Sequence, residues 1–383
     1  MQQPPQQVQI FTGAAVFDGT TLHRGASLRV VDGRVDAIGP DPGTGQVVRL
    51  NGGVLAPGFV DLQVNGGGGR MVDGSCTADV LADICATHAR LGATGILPTL
   101  ITDTPEATAR VIAAGITAAE RQTPGFLGLH LEGPHLDPRR KGAHDPRLVR
   151  PMTDDDLTLL LQAAQALPVL IVTLAPEAAT PDQISRLAAA GVVVSLGHSD
   201  CSQATARAAF AAGARCVTHL FNAMSQLGAR APGLVGATLA GGMPAGVIAD
   251  GIHVAPDTLR IALAASPDRL FLVSDAMAVA GSDLTSFPLN GRRILRQNGR
   301  LTLEDGTLAG ADLTLAHAVA LLVGLGTRLE TALAMASARP AALIGLDHRL
   351  GHLTPGRSAD MLHLADDGTL TGVWRGGYPP SSR

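Results

Sequence analysis

The spacing of apolar and polar positions along the chain changes at about residue 57. From there to residue 275, short and almost continuously apolar runs alternate with Ala- and Leu-rich stretches of helical length. The apolar runs are eight candidate strands, at 58–65, 94–99, 126–132, 169–174, 192–198, 216–220, 246–250 and 270–275. The helical stretches between them include 78–91, 105–120, 154–167, 181–190 and 203–212.

This alternation predicts the fold class. Apolar strands separated by helices are typical of a parallel sheet that is covered on both faces. Eight such units over roughly 250 residues predict an α/β fold, a TIM-like (β/α)8 barrel. Two of the predicted helices open on a Thr-Pro pair, at 104–105 and 180–181, which indicates an N-cap followed by a proline in the first turn.

The segments on either side of the barrel alternate with the period of a strand. Residues 8–55 and the tail from 352 to 378 show apolar and polar positions in turn, interrupted by Gly-containing turns. We therefore predict a small β-sandwich domain formed from both chain termini, residues 1–56 and 346–383. The barrel domain is then expected to span 57–345.

An insertion interrupts the end of the barrel domain. A β-hairpin is predicted near 287–308, because Asn298-Gly299 separates two alternating runs. Helices are expected to resume at 311–325 and 329–343.

Polar side chains stand at the carboxyl ends of most candidate strands. They are Gln63 and Asn65 on the first, Glu132 on the third, His198 on the fifth, His219 on the sixth, Asp250 with His253 at the seventh, and Asp275 on the eighth. In a TIM-like barrel these ends share one rim, where the active sites of the fold lie. A lone histidine after an apolar strand is more often a hydrogen-bonded structural residue. Two histidines and two carboxylates on one rim instead favour a functional site.

Three of these residues offer the donor atoms of a metal site. Glu132, His198 and His219 supply one carboxylate and two imidazoles, a set that suits zinc or another borderline divalent ion and leaves a position for water. Metal binding lowers the pKa of water to about 7, so Asp275 is a candidate general base that can then protonate a leaving amine. The alternative for Asp275 is a structural role as a cap or outer-shell residue. The set predicts metal-assisted hydrolysis of an amide or ester.

Composition narrows the partners and the compartment. Hydrophobic residues make up 46% of the 383 residues and charged residues 16%, which excludes a disordered chain. The net charge of −4 gives no electrostatic basis for binding nucleic acid or an anionic membrane. Neither a transmembrane segment nor a secretion signal at the N-terminus is expected. The four cysteines lack CxxC spacing and indicate a reducing compartment, so a cytoplasmic location is predicted.

Several motifs together resemble one enzyme family. The stretches HLEGPHLDPRRKGAH, SLGHS, THLFNAM, IADGIHV, LVSDAM and TLAG are similar to those of the N-acetylglucosamine-6-phosphate deacetylases, within the amidohydrolase superfamily. The resemblance runs from about residue 57 through the tail and implies a barrel of the amidohydrolase type. It implies that Glu132, His198 and His219 bind one divalent metal, with zinc or iron expected and manganese or cobalt compatible. It also implies that Asp275 is the acid/base and that His144 orients or polarises the acetyl carbonyl.

The resemblance also implies a site for a phosphosugar. Asn222 and Ala223 match a segment that offers polar groups to the sugar phosphate, and Arg230 and His253 match phosphate and sugar contacts. The loop Leu308, Ala309 and Gly310 matches a segment that closes over the sugar. In related enzymes the arginine reaches the site of the neighbouring subunit, which implies a homodimer. The implied reaction converts N-acetylglucosamine 6-phosphate to glucosamine 6-phosphate and acetate, in amino-sugar catabolism or cell-wall recycling.

Two departures from the wider superfamily affect the metal count. Many members end the first strand in an HxH pair, whereas this chain has Gln63 and Asn65 in LQVN. Many binuclear members use a carboxylated lysine on the fourth strand, but the sole lysine, Lys141, follows the third. We therefore expect one tight metal, with Gln63 and Asn65 supporting at most a weak second ion or a water. His135, after the EGP motif, departs from the expected aromatic or apolar residue and is not assigned a role.

Two other functions are compatible with the sequence. One is another mononuclear amidohydrolase, acting on an N-acyl amino acid or an unphosphorylated amino sugar. The other is a non-catalytic barrel used for binding or assembly, although such a protein has no need of the four residues Glu132, His198, His219 and Asp275. The choice between N-acetylglucosamine and N-acetylgalactosamine phosphates stays open.

Overall fold

The structure is a computed structural model and describes residues 7–41 and 43–379. The N-terminal residues 1–6, on which the expected lack of a secretion signal partly depends, lie outside the described residues, as do 42 and 380–383 of the predicted terminal domain.

The chain divides into two compact units. One comprises Met1–Asp61, His88–Gly95 and Leu315–Arg383, and the other Leu62–Thr87 and Ile96–Thr314. The domain boundaries that the sequence suggested stay a prediction.

Eight parallel strands form a nearly closed barrel and follow one another in chain order around it. They are Phe59–Val64, Ala93–Ile101, Leu129–Glu132, Leu170–Leu174, Val193–Leu196, Cys216–Val217, Ala245–Val247 and Leu270–Leu272. A parallel bridge between Val64 and Ala276 links the segment after the eighth strand to the first strand. The predicted barrel is confirmed.

Eight helices follow the barrel strands in the chain. They are Ala78–Arg90, Pro105–Glu120, Asp154–Ala166, Pro181–Ala189, Gln203–Ala211, Gly233–Gly241, Pro256–Ala265 and Leu315–Gly324. The two Thr-Pro starts are confirmed, because the hydroxyls of Thr104 and Thr180 accept hydrogen bonds from the amides of Ala107 and Gln183. Such capping satisfies amides that have no partner within the helix.

Two small sheets contain the terminal strands. One consists of Arg34–Gly39, Ser27–Val31, Val8–Thr12 and Gln46–Arg49, in that spatial order. The other consists of Leu370–Trp374, Met361–Leu364, Val54–Pro57, Ala15–Phe17 and Leu22–His23. Phe11 and Leu28 of the first sheet share one buried cluster with Leu55 and Met361 of the second. This shared core confirms a small β-sandwich built from both ends of the chain.

The insertion after the eighth barrel strand is larger than a hairpin. Four antiparallel strands form it: Ser286–Leu289, Arg292–Gln297, Arg300–Thr302 and Leu308–Ala311. A helix was expected to begin at residue 311, but that residue is the last of a strand. The next helix therefore begins later, at Leu315.

Two short strands, one 3-10 turn and two helices complete the description. Arg70–Met71 pairs with Gly66–Gly67, and Pro138–Arg140 forms one 3-10 turn. The helix expected at 329–343 is divided into Leu329–Ala336 and Ala338–Leu343, because Ser337 leaves helical geometry with φ −133° and ψ −78°. Among the residues described, none of the helices has the length and apolar character that a membrane span requires.

Candidate active site

The polar residues predicted at the rim of the barrel do come together. Glu132 is the last residue of the third strand, whereas His198, His219 and Asp275 lie just beyond the fifth, sixth and eighth strands. These three residues have φ of +47°, +29° and +51°, in the left-handed region that non-glycine residues rarely occupy. Such backbone strain costs about 1–3 kcal/mol per residue and is concentrated at functional sites.

Glu132, His198 and His219 form one compact group of donor atoms. The Nε2 atom of His219 lies 3.0 Å from Oε1 of Glu132, and Nε2 of His198 lies 3.3 Å from the same oxygen. The two Nε2 atoms are 3.0 Å apart. All three residues are at most 4% exposed. One carboxylate and two imidazoles facing a common point are a donor set that fits a divalent metal ion.

The neighbours of this group set its protonation. The Nδ1 atom of His198 lies 2.8 Å from the main-chain oxygen of Arg140, which can only accept, so Nδ1 carries the proton and Nε2 presents a lone pair. Burial opposes ionisation of Glu132, but the imidazoles of His198 and His219 beside it outweigh burial and hold the pKa of Glu132 well below its usual value. The amide of Gln63 also donates to both carboxylate oxygens of Glu132, at 3.2 Å each. A charged carboxylate and neutral imidazoles are the forms that bind a metal.

Asp275 lies beside this group and is held by Asn65. The amide nitrogen of Asn65 donates to Oδ1 of Asp275 at 2.7 Å. Burial, followed by the charge of Glu132, raises the pKa of Asp275 to about 6. A carboxyl group with a pKa near neutrality can both accept and return a proton at physiological pH.

His144 reaches the site from a loop rather than from a strand end. Its Nδ1 accepts a hydrogen bond from the main-chain amide of Thr102 at 3.3 Å and lies 2.7 Å from the Thr102 hydroxyl. Because the amide can only donate, the proton of the neutral ring must lie on Nε2. Burial is the main cause that lowers the pKa of His144 to about 3. His144 is therefore a neutral hydrogen-bond donor whose ring packs edge-on against that of His198, with centroids 4.4 Å apart.

The loop of His144 approaches the donor group Glu132, His198 and His219 closely at a glycine. Gly142 has φ of +55°, and a Cβ atom built on it would lie 3.2 Å from Cε1 of His198. A glycine allows the main chain to pass the imidazole at this distance.

These residues line one cavity of about 240 Å³, together with most of the predicted substrate contacts. The predicted contacts among its lining residues are His144, Asn222, Ala223, His253, Leu308, Ala309 and Gly310. Nδ1 of His253 lies 2.6 Å from Oδ2 of Asp250, which orients the ring. Burial raises the pKa of Asp250, but the hydrogen bond and charge of His253 together with the main-chain amides of Ile252 and His253 outweigh burial and lower it.

Three predicted or unassigned residues lie elsewhere. Arg230 is exposed on a loop and does not line the cavity of its own chain. Gln63 is hydrogen-bonded to Glu132 and does not line the cavity, whereas Asn65 does. His135 is buried outside the cavity, with Nδ1 3.3 Å from the main-chain oxygen of Arg150.

Most of an apolar part of the cavity was missed by the sequence reasoning, which predicted only Ala309 of it. Four residues line the cavity and also belong to the buried cluster beneath the inserted sheet: Ile101, Met277, Leu289 and Ala309. We call these four residues the apolar wall. Thr102, which holds His144, was missed as well. The only sequence signal for Thr102 is its polar side chain after the second apolar strand, and Leu289 has no such signal.

Comparisons with known proteins agree with this geometry. The profile of the amidohydrolase family matches residues 54–378. The N-acetylgalactosamine-6-phosphate deacetylase of Shewanella sp. (strain ANA-3) is 41% identical over 334 residues, which cover 86% of this chain and 84% of the relative. The N-acetylglucosamine-6-phosphate deacetylase of Haemophilus influenzae is 34% identical over 320 residues, 82% of this chain and 84% of the relative.

A solved structure extends the similarity to nearly the whole fold. The crystal structure of N-acetylglucosamine-6-phosphate deacetylase from Pasteurella multocida superposes with a TM-score of 0.92 at 33% identity, covering 97% of this chain and 98% of that chain.

Proposed function

This chain belongs to the amidohydrolase family, among the N-acetylglucosamine- and N-acetylgalactosamine-6-phosphate deacetylases, and from that premise we propose that it hydrolyses the N-acetyl group of N-acetylglucosamine 6-phosphate. The products are glucosamine 6-phosphate and acetate. The observation that carries the proposal is the convergence of the buried residues Glu132, His198, His219 and Asp275 on one cavity. A barrel used only for binding would have no need of this set.

Glu132, His198 and His219 would hold one divalent cation, with zinc or iron expected and manganese or cobalt compatible with the same ligands. A cation bound there supplies Lewis-acid polarisation and lowers the pKa of water to about 7. Gln63 supports the set by donating to both oxygens of Glu132. Asn65 would support at most a weak second ion or a water.

Two neighbouring residues complete the proposed chemistry. His144 donates its Nε2–H to the acetyl carbonyl oxygen, where negative charge develops as water adds to the carbon. Asp275 takes the proton of the attacking water on its carboxylate and delivers it to the amide nitrogen. The C–N bond then breaks, and the amine leaves neutral. Asn65 keeps Oδ1 of Asp275 in position through the 2.7 Å hydrogen bond.

The phosphosugar is proposed to lie against the polar residues at the other strand ends. His253, oriented by Asp250, and the segment Asn222-Ala223 would contact the sugar and its phosphate, with the loop 308–310 closing over the sugar. Arg230 would complete the phosphate site of a neighbouring subunit, since it is exposed and does not line its own cavity. A homodimer is therefore part of the proposal. A cytoplasmic location stays a prediction.

Acetate release tests the proposed reaction directly. Purified protein is assayed on N-acetylglucosamine 6-phosphate before and after chelation and after addition of zinc, iron, manganese or cobalt. We expect activity that chelation removes and one of these metals restores. Full activity in protein that contains no metal would contradict the proposal, and equal activity on unphosphorylated N-acetylglucosamine would favour the alternative amidohydrolase function.

N-acetylgalactosamine 6-phosphate is a second candidate substrate. The specific observation is the 41% identity to the Shewanella N-acetylgalactosamine-6-phosphate deacetylase. Measuring kcat/KM for both epimers under identical conditions decides which of them is the preferred substrate.

Subunit mixing tests the dimer and the role of Arg230 together. Arg230→Ala and Asp275→Asn proteins are each expected to be poorly active, but a mixed dimer holds one site in which both residues are native. Random exchange in a twofold dimer should restore about a quarter of wild-type activity. A monomer in sedimentation, or mixing without recovery, would contradict the shared site.

A further inference from the structure

We propose that the apolar wall is the binding subsite for the acyl group of the substrate amide and that it selects acetyl over longer acyl chains. The inference rests on the proposed function, because it concerns the acyl half of the same amide. It assigns a role to Ile101, Met277 and Leu289, to which the proposed function gives none, and adds an acyl contact to Ala309 of the loop 308–310.

The wall adjoins the two residues that are proposed to act on the amide. Ile101 directly precedes Thr102, whose amide and hydroxyl hold Nδ1 of His144. Met277 lies two residues after Asp275 in the same segment. An acyl group whose carbonyl oxygen meets His144 and whose carbon lies near Asp275 therefore has its alkyl end beside this wall.

The chemistry of the wall suits an alkyl group and nothing polar. The sugar and phosphate require hydrogen-bond donors and acceptors, which Asn222 and His253, also lining the cavity, offer. The acetyl methyl has no such requirement and gains by leaving water for an apolar surface. Of the two halves of the substrate, the acyl half therefore matches the wall.

The wall is closely packed, which limits the length of the acyl chain. Ile101 is 9% exposed, Leu289 5%, Met277 2% and Ala309 0%. A Cβ atom at Gly310 would lie 2.5 Å from Cγ of Met277 and 2.9 Å from the main-chain oxygen of Asp275, so the methionine is confined on that side. Close-packed side chains do not move aside freely for an added methylene.

Leu289 is the member of the wall that can be changed with least disturbance to the barrel. It ends the first strand of the inserted sheet, and its main chain pairs with Arg292. The turn beyond it is anchored at two points. Asn290 donates to the main-chain oxygen of Thr102 at 3.4 Å, and the guanidinium of Arg292 donates to that of Ala143. Shortening the Leu289 side chain should thus enlarge the cavity while the anchored main chain stays in place.

The test compares the N-acetyl, N-propionyl and N-butyryl derivatives of glucosamine 6-phosphate. All three release glucosamine 6-phosphate, so a single amine assay gives kcat/KM for each. An enzyme that prefers the galacto epimer is tested with the same series on galactosamine 6-phosphate. One added methylene in an apolar pocket changes specificity by about 10- to 200-fold, and we expect Leu289→Ala to raise the propionyl-to-acetyl ratio by about tenfold or more.

Leu301→Ala is the matched control. Leu301 belongs to the same buried cluster and is 0% exposed, but it does not line the cavity. The same atoms are removed from the same core, so Tm should fall while the acyl ratio stays at the wild-type value. Leu289→Val provides a smaller truncation, with a smaller shift in the same direction, if Leu289→Ala does not fold.

The outcomes separate the two proposals. If the wild-type enzyme deacetylates the acetyl substrate but neither Leu289 variant changes the ratio, the wall is not the acyl subsite and the proposed function stands. An equal change of the propionyl-to-acetyl ratio in Leu301→Ala would also show that the wall is not the acyl subsite. If the wild-type enzyme releases amine from none of the three substrates in either epimeric series, the proposed function fails and the acyl subsite fails with it.

Discussion

The cavity has a polar side and an apolar wall, and the two are built differently. On the polar side, Glu132, His198, His219 and Asp275 extend from the ends of barrel strands, and their polar atoms lie 2.7–3.3 Å from each other or from amide side chains. The apolar wall combines Ile101 and Met277 of the barrel segments with residues of the inserted sheet. Its members touch through packing alone.

This difference indicates that the polar side and the apolar wall have different functions. Hydrogen bonds and charges are directional, so the polar side depends on a main chain that holds each donor within a few tenths of an ångström. Packing is non-directional and depends on volume. We therefore expect changes on the polar side to reduce turnover or substrate binding, and changes in the apolar wall to alter the choice of substrate.

The largest effect is expected for Asp275→Asn. The amide cannot take up a proton from water, and loss of a general acid/base costs about 10²–10⁴ in kcat. Metal content, measured by elemental analysis, should stay near that of the wild type, because Asp275 is outside the donor group Glu132, His198 and His219. Near-wild-type turnover with metal bound would show that another group carries the proton.

A smaller effect is expected for Asp250→Asn, which weakens the orientation of His253. The variant replaces a charged hydrogen-bond acceptor, 2.6 Å from Nδ1, by a neutral one. We expect KM for the phosphosugar to rise about tenfold while kcat changes little. Steady-state kinetics separate the two constants. A fall in kcat at unchanged KM would mean that His253 acts in the reaction rather than on the sugar phosphate.

Thr102→Val tests the point where the apolar wall and the polar side meet. It removes the hydroxyl beside His144 and keeps the shape of the side chain. A single neutral hydrogen bond contributes about 1 kcal/mol, so kcat should fall about fivefold. Thr102→Ser keeps the hydroxyl and should restore turnover. If both variants lose activity equally, the hydroxyl does not position the imidazole.

The smallest effect concerns the loop that carries His144 to the polar side. Arg150 pairs with Asp156 through Nη2 and Oδ1 at 2.6 Å. Burial opposes ionisation of Asp156, but hydrogen bonds from Arg150 and Thr153 outweigh it and lower the pKa of Asp156 below its usual value of 3.8. Because the folded-state pKa is the lower one, the stabilisation is complete above pH 3.8 and is lost as pH falls through the folded-state pKa.

Arg150→Met should therefore lower the free energy of unfolding by up to about 1 kcal/mol near pH 6, since both partners are partly exposed. The difference from the wild type should shrink as pH falls below 3.8. Urea denaturation between neutral and acidic pH measures it. A difference that is constant with pH would mean that lost packing, not charge, causes the effect.

The sequence by itself determined the barrel, the terminal β-sandwich and the residues of the polar side. An apolar strand that ends in Glu132, or runs on into His198 or His219, is a local pattern, and a parallel barrel brings all such ends to one rim. The chemistry could therefore be predicted wherever a polar residue interrupts an apolar run. The resemblance added His144 and Arg230, which no strand pattern identifies.

Only the tertiary structure decided how those residues are held and what surrounds them. The Thr102–His144 contact, the donation of Gln63 to Glu132 and the convergence of Ile101, Met277 and Leu289 join residues that are distant in the chain. Leu289 has the same apolar pattern whether it is part of a core or of a cavity wall. That difference depends on which segments pack against it, and packing between distant segments is not encoded in local periodicity.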